Sequence, residues 1–180
     1  MPGRTVMMCL AALLLFSQHG SALPGGDPVS EALHPLIASS LNRSPRDEVR
    51  EAVQSARERI RAVVYKFTDP AILETLLEAE ARGVDVRVLC DANEAAEKKS
   101  LVGRLASSGA TIRLWDRRRG KLHAKFLIVD SHAVLTGSYN WTLSGSTSNV
   151  EILLRLEDEN SVERFGRIFD DFWEKGRAYR

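Results

Sequence analysis

Within Lys121-Leu-His-Ala-Lys-Phe-Leu-Ile-Val-Asp130, a histidine and a lysine stand two positions apart at the head of an apolar run. In extended backbone successive side chains point oppositely, so His123 and Lys125 share one face. Leu122, Ala124, Phe126 and Ile128 share the other. Burying an imidazole and an ammonium there costs free energy unless partners satisfy them, whereas exposed edge positions would cost nothing. The next segment favours a pocket. Gly137-Ser138-Tyr139-Asn140 follows a short turn and offers a hydroxyl and an amide on one face. A hairpin between the two runs would gather His123, Lys125, Ser138 and Asn140. Glu151, at the head of the next strand-like run, could hold an imidazole in one tautomer. Such a set suits a phosphate: a nucleophile or proton carrier, a cation, and donors for oxygens on which charge builds.

These residues need a scaffold, and the surrounding pattern predicts one. Ser44-Pro45 opens a helix, with Ser as cap and Pro at the first position; Val49, Val53, Ala56 and Ile60 carry its apolar stripe. A buried strand covers 61–67. Asp69-Pro70 caps a second helix whose core face is Ile72, Leu73, Leu76, Leu77 and Ala79, and Gly83 ends it. A strand at 84–90, a helix over 94–107 and a strand at 111–115 follow. Further strands are predicted at 122–129, 133–139 and 150–156. A last helix over 158–175 turns Val162, Phe165, Ile168, Phe169, Phe172 and Trp173 inward. This alternation predicts an α/β fold, a mixed β-sheet flanked by helices.

The start of the chain reads as an address. Arg4 precedes an uncharged apolar run of 11 residues, and the segment ends Gly20-Ser21-Ala22. Small residues at the last and third-last positions suit signal peptidase, and the run is about half of the roughly 20 residues a spanning helix needs. Residues 1–22 are therefore expected to be a signal peptide, 23–43 a flexible lead-in with one short helix, and 44–180 the functional domain. The expected location is secreted or periplasmic, with no stable membrane span. Removing 22 of 180 residues leaves 158, enough to bury a core without staples. Cys90 then has no intrachain partner and is read as a buried, inert thiol rather than a reactive one.

The pattern His123-x-Lys125-x4-Asp130-x6-Gly137-Ser138-x-Asn140 resembles the signature of the phospholipase D superfamily. Tyr65-Lys-Phe-Thr-Asp69, Arg82-Gly-Val-Asp-Val-Arg-Val88 and the terminal Phe172-Trp173 helix also look like that family, over residues 45–180. The sequence is most similar to its small secreted single-motif bacterial endonucleases. The resemblance implies the family's α/β/α sandwich with one motif per chain. It implies that His123 attacks phosphorus and forms a phosphohistidine, while a second copy of that histidine serves the leaving oxygen and then water. Lys125 and Asn140 would hold the non-bridging oxygens, Ser138 would support the pocket, Glu151 would orient His123, and Asp130 would act at the turn. One motif then supplies half of the required histidines, and 45–110 contains none, so a homodimer with a composite site is expected. The scheme needs no cofactor and no metal. His132, on a turn, is read as solvated.

Charge bears on the substrate. The chain carries 25 basic and 24 acidic residues, which argues against a generally basic nucleic-acid binder. The average hides segregation. Residues 113–125 hold six bases and one acid, and 151–174 hold eight acids and three bases. Arg117, Arg118, Arg119 and Lys121 are read as a rim that attracts polyanions; a merely solvated loop is the alternative for the arginines. The expected substrate is DNA or RNA. A phospholipid is the alternative, with a non-catalytic nucleic-acid-binding module behind it. Single-motif relatives on mitochondria that act on cardiolipin or RNA carry a Cys/His-rich insertion, and no such insertion is found here.

Overall fold

Both capped Pro pairs start helices. In the computed structural model, which describes residues 36–180, α1 spans Pro45–Ser55 and Ser44 accepts the Asp47 N–H. Helix α2 spans Pro70–Ala81, and the Asp69 carboxylate accepts the Ala71 N–H. Gly83 follows α2 with φ +89°, a left-handed turn that side chains resist. The signal-peptide reading falls on residues outside those described.

The strands are β1 Leu36–Ser39, β2 Arg59–Val64, β3 Asp85–Asp91, β4 Thr111–Trp115, β5 Phe126–Val129, β6 Ala133–Gly137, β7 Ile152–Leu156 and β8 Arg177–Ala178. They form one sheet in the order β1-β7-β6-β5-β2-β3-β4-β8. β2, β3 and β4 pair in parallel, and the other pairings are antiparallel. Short helices α3 (Ala92–Ala95) and α4 (Val102–Ala106) lie between β3 and β4. Helix α5 (Leu143–Thr147) precedes β7, and α6 (Glu159–Lys175) follows it.

Strand alternation sorts the core into two layers. Ile60, Ala62 and Val64 of β2 and Val86 and Val88 of β3 pack with Val49 and Val53 of α1 and Leu73 and Leu76 of α2. Val63, Leu89, Phe126, Ile128 and Val134 point the other way, against Val162 and Phe169 of α6. The sheet is thus covered on both faces, as a mixed sheet flanked by helices requires.

Several boundaries differ from the sequence reading. Helix α1 stops at Ser55, so Ile60 belongs to β2 instead of the helical stripe. The single helix over 94–107 is two short ones, because the Leu101 N–H turns aside to the carbonyl of Phe67, three residues past β2. Part of the lead-in, Leu36–Ser39, is a strand that pairs with β7. Ile168 is 42% exposed, off the buried stripe of α6 that holds Val162 and Phe169. Cys90 is buried, and burial pushes its thiol pKa up, which keeps it an unreactive thiol at neutral pH.

Candidate active site

Topology brings the chemistry to one end of the sheet. The parallel strands β2, β3 and β4 end there, which puts Tyr65, Asp91 and Arg117–Arg119 at the same edge. β5 runs antiparallel to β2, so His123 and Lys125, just before β5, lie at that edge too. β6 runs antiparallel to β5 and delivers Ser138 and Asn140 there; β7 begins there, next to Glu151. The carboxyl ends of parallel strands are where open α/β sheets hold their ligands.

The strand over 122–129 begins later than the sequence suggests, at Phe126. β2 ends at Val64, one residue past the Val63–Phe126 pair, so 121–125 has no ladder to join on that side. The segment is nevertheless held extended. The Asp91 carboxylate accepts the Leu122 N–H at 3.2 Å, and Thr136 Oγ1 donates to the Lys125 carbonyl at 3.0 Å. Leu122 and Ala124 pack with the α6-side layer, so His123 and Lys125 turn to the opposite face, as alternation predicts.

His123 is exposed, and its Nδ1 lies 3.4 Å from Lys125 Nζ. Burial, then the charges of Lys125 and Lys121, hold the imidazole below the ordinary histidine pKa. Burial also lowers Lys125; Glu151 opposes that shift and Lys121 adds to it. Glu151 is 6% exposed. Its carboxylate accepts hydrogen bonds from Ser138 Oγ and from Asn149 Nδ2, the latter at 3.0 Å. The Glu151–His123 contact implied by the resemblance is not among its hydrogen bonds; within this chain Glu151 bears on Ser138 and Lys125 instead. Ser138 lies just beyond β6, which ends at Gly137, a position where a side chain would fall onto the Ile152 carbonyl. Asn140 is half-buried, and its Oδ1 is buried without a hydrogen-bond partner among the described residues.

Asp130 lies elsewhere. It follows β5, about 16 Å of strand away from Lys125, and adopts φ +50°. Its carboxylate accepts the backbone N–H groups of Arg57, Glu58 and Arg59 at 3.1, 2.9 and 2.8 Å. Burial raises its pKa, but those bonds outweigh it and the net shift is downward. Asp130 therefore ties the β5–β6 turn to the start of β2, the structural turn role expected of it, and takes no part in the cluster around His123. Replacing it with Ala should cost about 1–3 kcal/mol by removing three hydrogen bonds to a charged acceptor. Thermal melting should register the loss, while kcat per folded molecule stays within a few-fold of wild type. The depressed pKa gives the same sign in acid: this stability is present above the unfolded carboxylate value and is lost as pH falls through the folded one. His132, beside it, is 49% exposed.

The basic rim divides. Arg117, Arg118 and Arg119 form an exposed 3-10 turn after β4. Arg118 is bound to Asp116 through Nε at 3.0 Å and a terminal nitrogen at 2.7 Å, and this holds Asp116 at about 2. Arg117 and Arg119 have no side-chain ion pair among the described residues. Lys121 Nζ sits 4.8 Å from the Tyr65 ring centre.

The sequence reading missed Tyr65, Asp91 and Glu94 as site residues. The Tyr65 and His123 rings are 4.7 Å apart. Asp91 is 1% exposed and braces the His123 segment. Glu94 pairs with Lys66 at 3.1 Å. All three follow or close a parallel strand, the one signal that could have found them. Among the described residues no group of three or more His, Cys, Asp or Glu is placed to hold a metal ion, and no helix is long and apolar enough to cross a membrane.

Comparison with known proteins agrees with this fold. The family model described as "Cardiolipin synthase, PLD-like domain" matches residues 49–173. The mitochondrial cardiolipin hydrolase of Xenopus laevis is 36% identical over 120 residues, 67% of this chain and 57% of that protein. The phospholipase D of Rickettsia bellii is 30% identical over 117 residues, 65% of this chain and 58% of that protein. The chain thus spans less than two thirds of the length of either. The crystal structure of Nuc from Salmonella typhimurium, a phospholipase D family member, superposes with a TM-score of 0.75 at 33% identity, covering 81% of this chain and 97% of that one. With a matching family model over most of its length and a single His-x-Lys motif at the sheet edge, the chain belongs to the phospholipase D superfamily.

Proposed function

We propose that this protein is a phosphodiesterase that cleaves DNA or RNA with little sequence preference. The observation that carries the reading is the placement of His123, Lys125, Ser138, Asn140 and Glu151 at one sheet edge, flanked by the exposed Arg117 and Arg119. His123 attacks phosphorus and the bond to the leaving oxygen breaks. His123 of the partner subunit gives that oxygen a proton, then takes one from water, whose oxygen displaces the imidazole. Lys125 and Asn140 bind the non-bridging oxygens and stabilise the charge that builds there. Glu151 fixes Ser138 and supports the charged state of Lys125.

The guanidinium groups of Arg117 and Arg119 supply the preference for a polyanion. The Arg117→Ala/Arg119→Ala double variant should raise KM several-fold and flatten the fall of kcat/KM with salt, because fewer counterions are released on binding. Cleavage rates between low and moderate salt, for wild type and variant, check this.

A second reading, hydrolysis of a phospholipid, is favoured by the names of the cardiolipin hydrolase and phospholipase D relatives. The exposed Leu41, Leu143 and Val150 also favour it, since they could meet a lipid surface. One experiment separates the two. The purified protein is incubated in excess EDTA with plasmid, single-stranded DNA, RNA and cardiolipin vesicles. Loss of the nucleic acids with intact cardiolipin supports the nuclease; release from cardiolipin alone supports the lipid reading. Activity that appears only after a divalent metal is returned contradicts both forms of the histidine mechanism. Residues 1–22 belong to the proposal as an export signal: N-terminal sequencing of the exported protein should begin at Leu23.

A further inference from the structure

We propose that Tyr65 is a positioning residue of this site: its ring sets the orientation of His123 and gathers Lys121 and Lys125 around the imidazole. The inference rests on the reading of His123 as the nucleophile.

His123 sits in the unpaired segment before β5, is exposed, and is not bonded to Glu151. Something else must restrict its rotation. The ring contact available is Tyr65, at 4.7 Å between centroids with the planes tilted by 57°. Two ammonium groups converge on the same tyrosine, Lys121 at 4.8 Å and Lys125 at 5.5 Å from its ring centre. Like charges repel at such range unless something offsets them, and the negative face of an aromatic ring does so. The tyrosine is itself braced. It follows Val64, the last residue of β2, whose partner is Cys90 of β3, so its backbone is fixed by the parallel ladder. Nearby, Lys66 Nζ pairs with the Glu94 carboxylate at 3.1 Å. Burial pushes Glu94 up, but its neighbours Tyr65 and Lys66, with the charges of Lys66 and Lys121, outweigh it and keep the carboxyl below its usual range. A partly exposed ring that touches a histidine and two lysines is arranged by charge and geometry, and hydrophobic packing does not require that arrangement.

The charged groups facing His123 and Tyr65 are Lys121 and Lys125 from the pre-β5 segment, Lys66 from the end of β2, Glu94 from α3, and Glu151 from the head of β7 through Lys125. Removing the ring frees Lys121 to move into solvent, while Lys125 keeps its hydrogen bond to the His123 carbonyl at 2.6 Å. His123 then loses a positive neighbour and one covered face, and its pKa moves up toward the ordinary value.

Two variants test this. Tyr65→Phe keeps the ring and loses the hydroxyl; Tyr65→Leu keeps apolar bulk and loses the ring. In steady-state cleavage of an oligonucleotide, Tyr65→Leu should lower kcat about 10–100-fold with KM within about 3-fold, the signature of lost alignment. Tyr65→Phe should stay within about 3-fold of wild type. In NMR titrations the His123 ring signal, identified by its absence in His123→Asn, should move to higher pH in Tyr65→Leu and stay near wild type in Tyr65→Phe. Equal kcat and equal titration in the two variants would overturn the proposal. If wild type cleaves no phosphodiester, the functional reading fails, and the His123 titration alone still decides whether Tyr65 positions the imidazole.

Discussion

Replacing His123 with Asn should lower kcat by about 10⁴-fold or more while leaving nucleic-acid binding and melting temperature in place. The expectation follows from where the residue sits. His123 is exposed, lies outside the strands, and contributes nothing to either core layer, so Asn costs the fold little. Yet every covalent step in the proposed reaction passes through its imidazole. Lys125, Arg117 and Arg119 remain, so binding measured by anisotropy should persist with its salt dependence intact. The wild-type pH profile should carry the same signature. Burial and the charges of Lys125 and Lys121 hold His123 below the ordinary histidine pKa, so its neutral, nucleophilic form survives at lower pH than usual. Because one His123 of the pair must be neutral and the other protonated, kcat/KM should pass through a maximum near the depressed pKa, falling in acid as the nucleophile is protonated and at higher pH as the proton donor is lost. Cleavage surviving in purified His123→Asn protein would remove the assignment.

The second large effect concerns stoichiometry. One chain presents one His-x-Lys motif, and the proposed reaction uses two histidines. If each site takes one from each protomer, inactive subunits must poison active ones. Wild type allowed to exchange subunits with a ninefold excess of His123→Asn should retain about a tenth of its own activity, because random pairing leaves that share of wild-type chains in homodimers. Full retained activity after exchange, or full activity in a monomer at working concentration, would show a self-contained site.

Local chemistry made much of this architecture legible in the sequence. Ser44 and Asp69 cap α1 and α2 with their own side chains, and that information lies within three residues. The alternation through Leu122, Ala124, Phe126 and Ile128 held even though the ladder starts at Phe126, because burial against α6 sets side-chain direction without strand pairing. What stayed hidden depends on distant contacts. The break in the helix over 94–107 comes from a hydrogen bond to Phe67, and β1 exists because β7 offers it an edge. Tyr65 and Asp91 reach the site through the sheet, 58 and 32 residues before His123 in the chain; Tyr65 lies in a family-like stretch, but nothing local assigns either residue to the site. Position before a strand marks Glu151 as a site residue; its bond to Ser138 within this chain is set by side-chain geometry beyond the reach of spacing. Asp130 stands in the same motif as His123 and serves the opposite end of the sheet, since a four-residue strand separates them.

The central claim is a covalent double displacement at His123, and the configuration at phosphorus tests it most directly. A phosphorothioate diester of known chirality is cleaved in ¹⁸O-labelled water, and the product configuration is read. Two in-line displacements, first by His123 and then by water, predict overall retention. Inversion would mean that water attacks phosphorus directly, and the phosphohistidine account would be wrong.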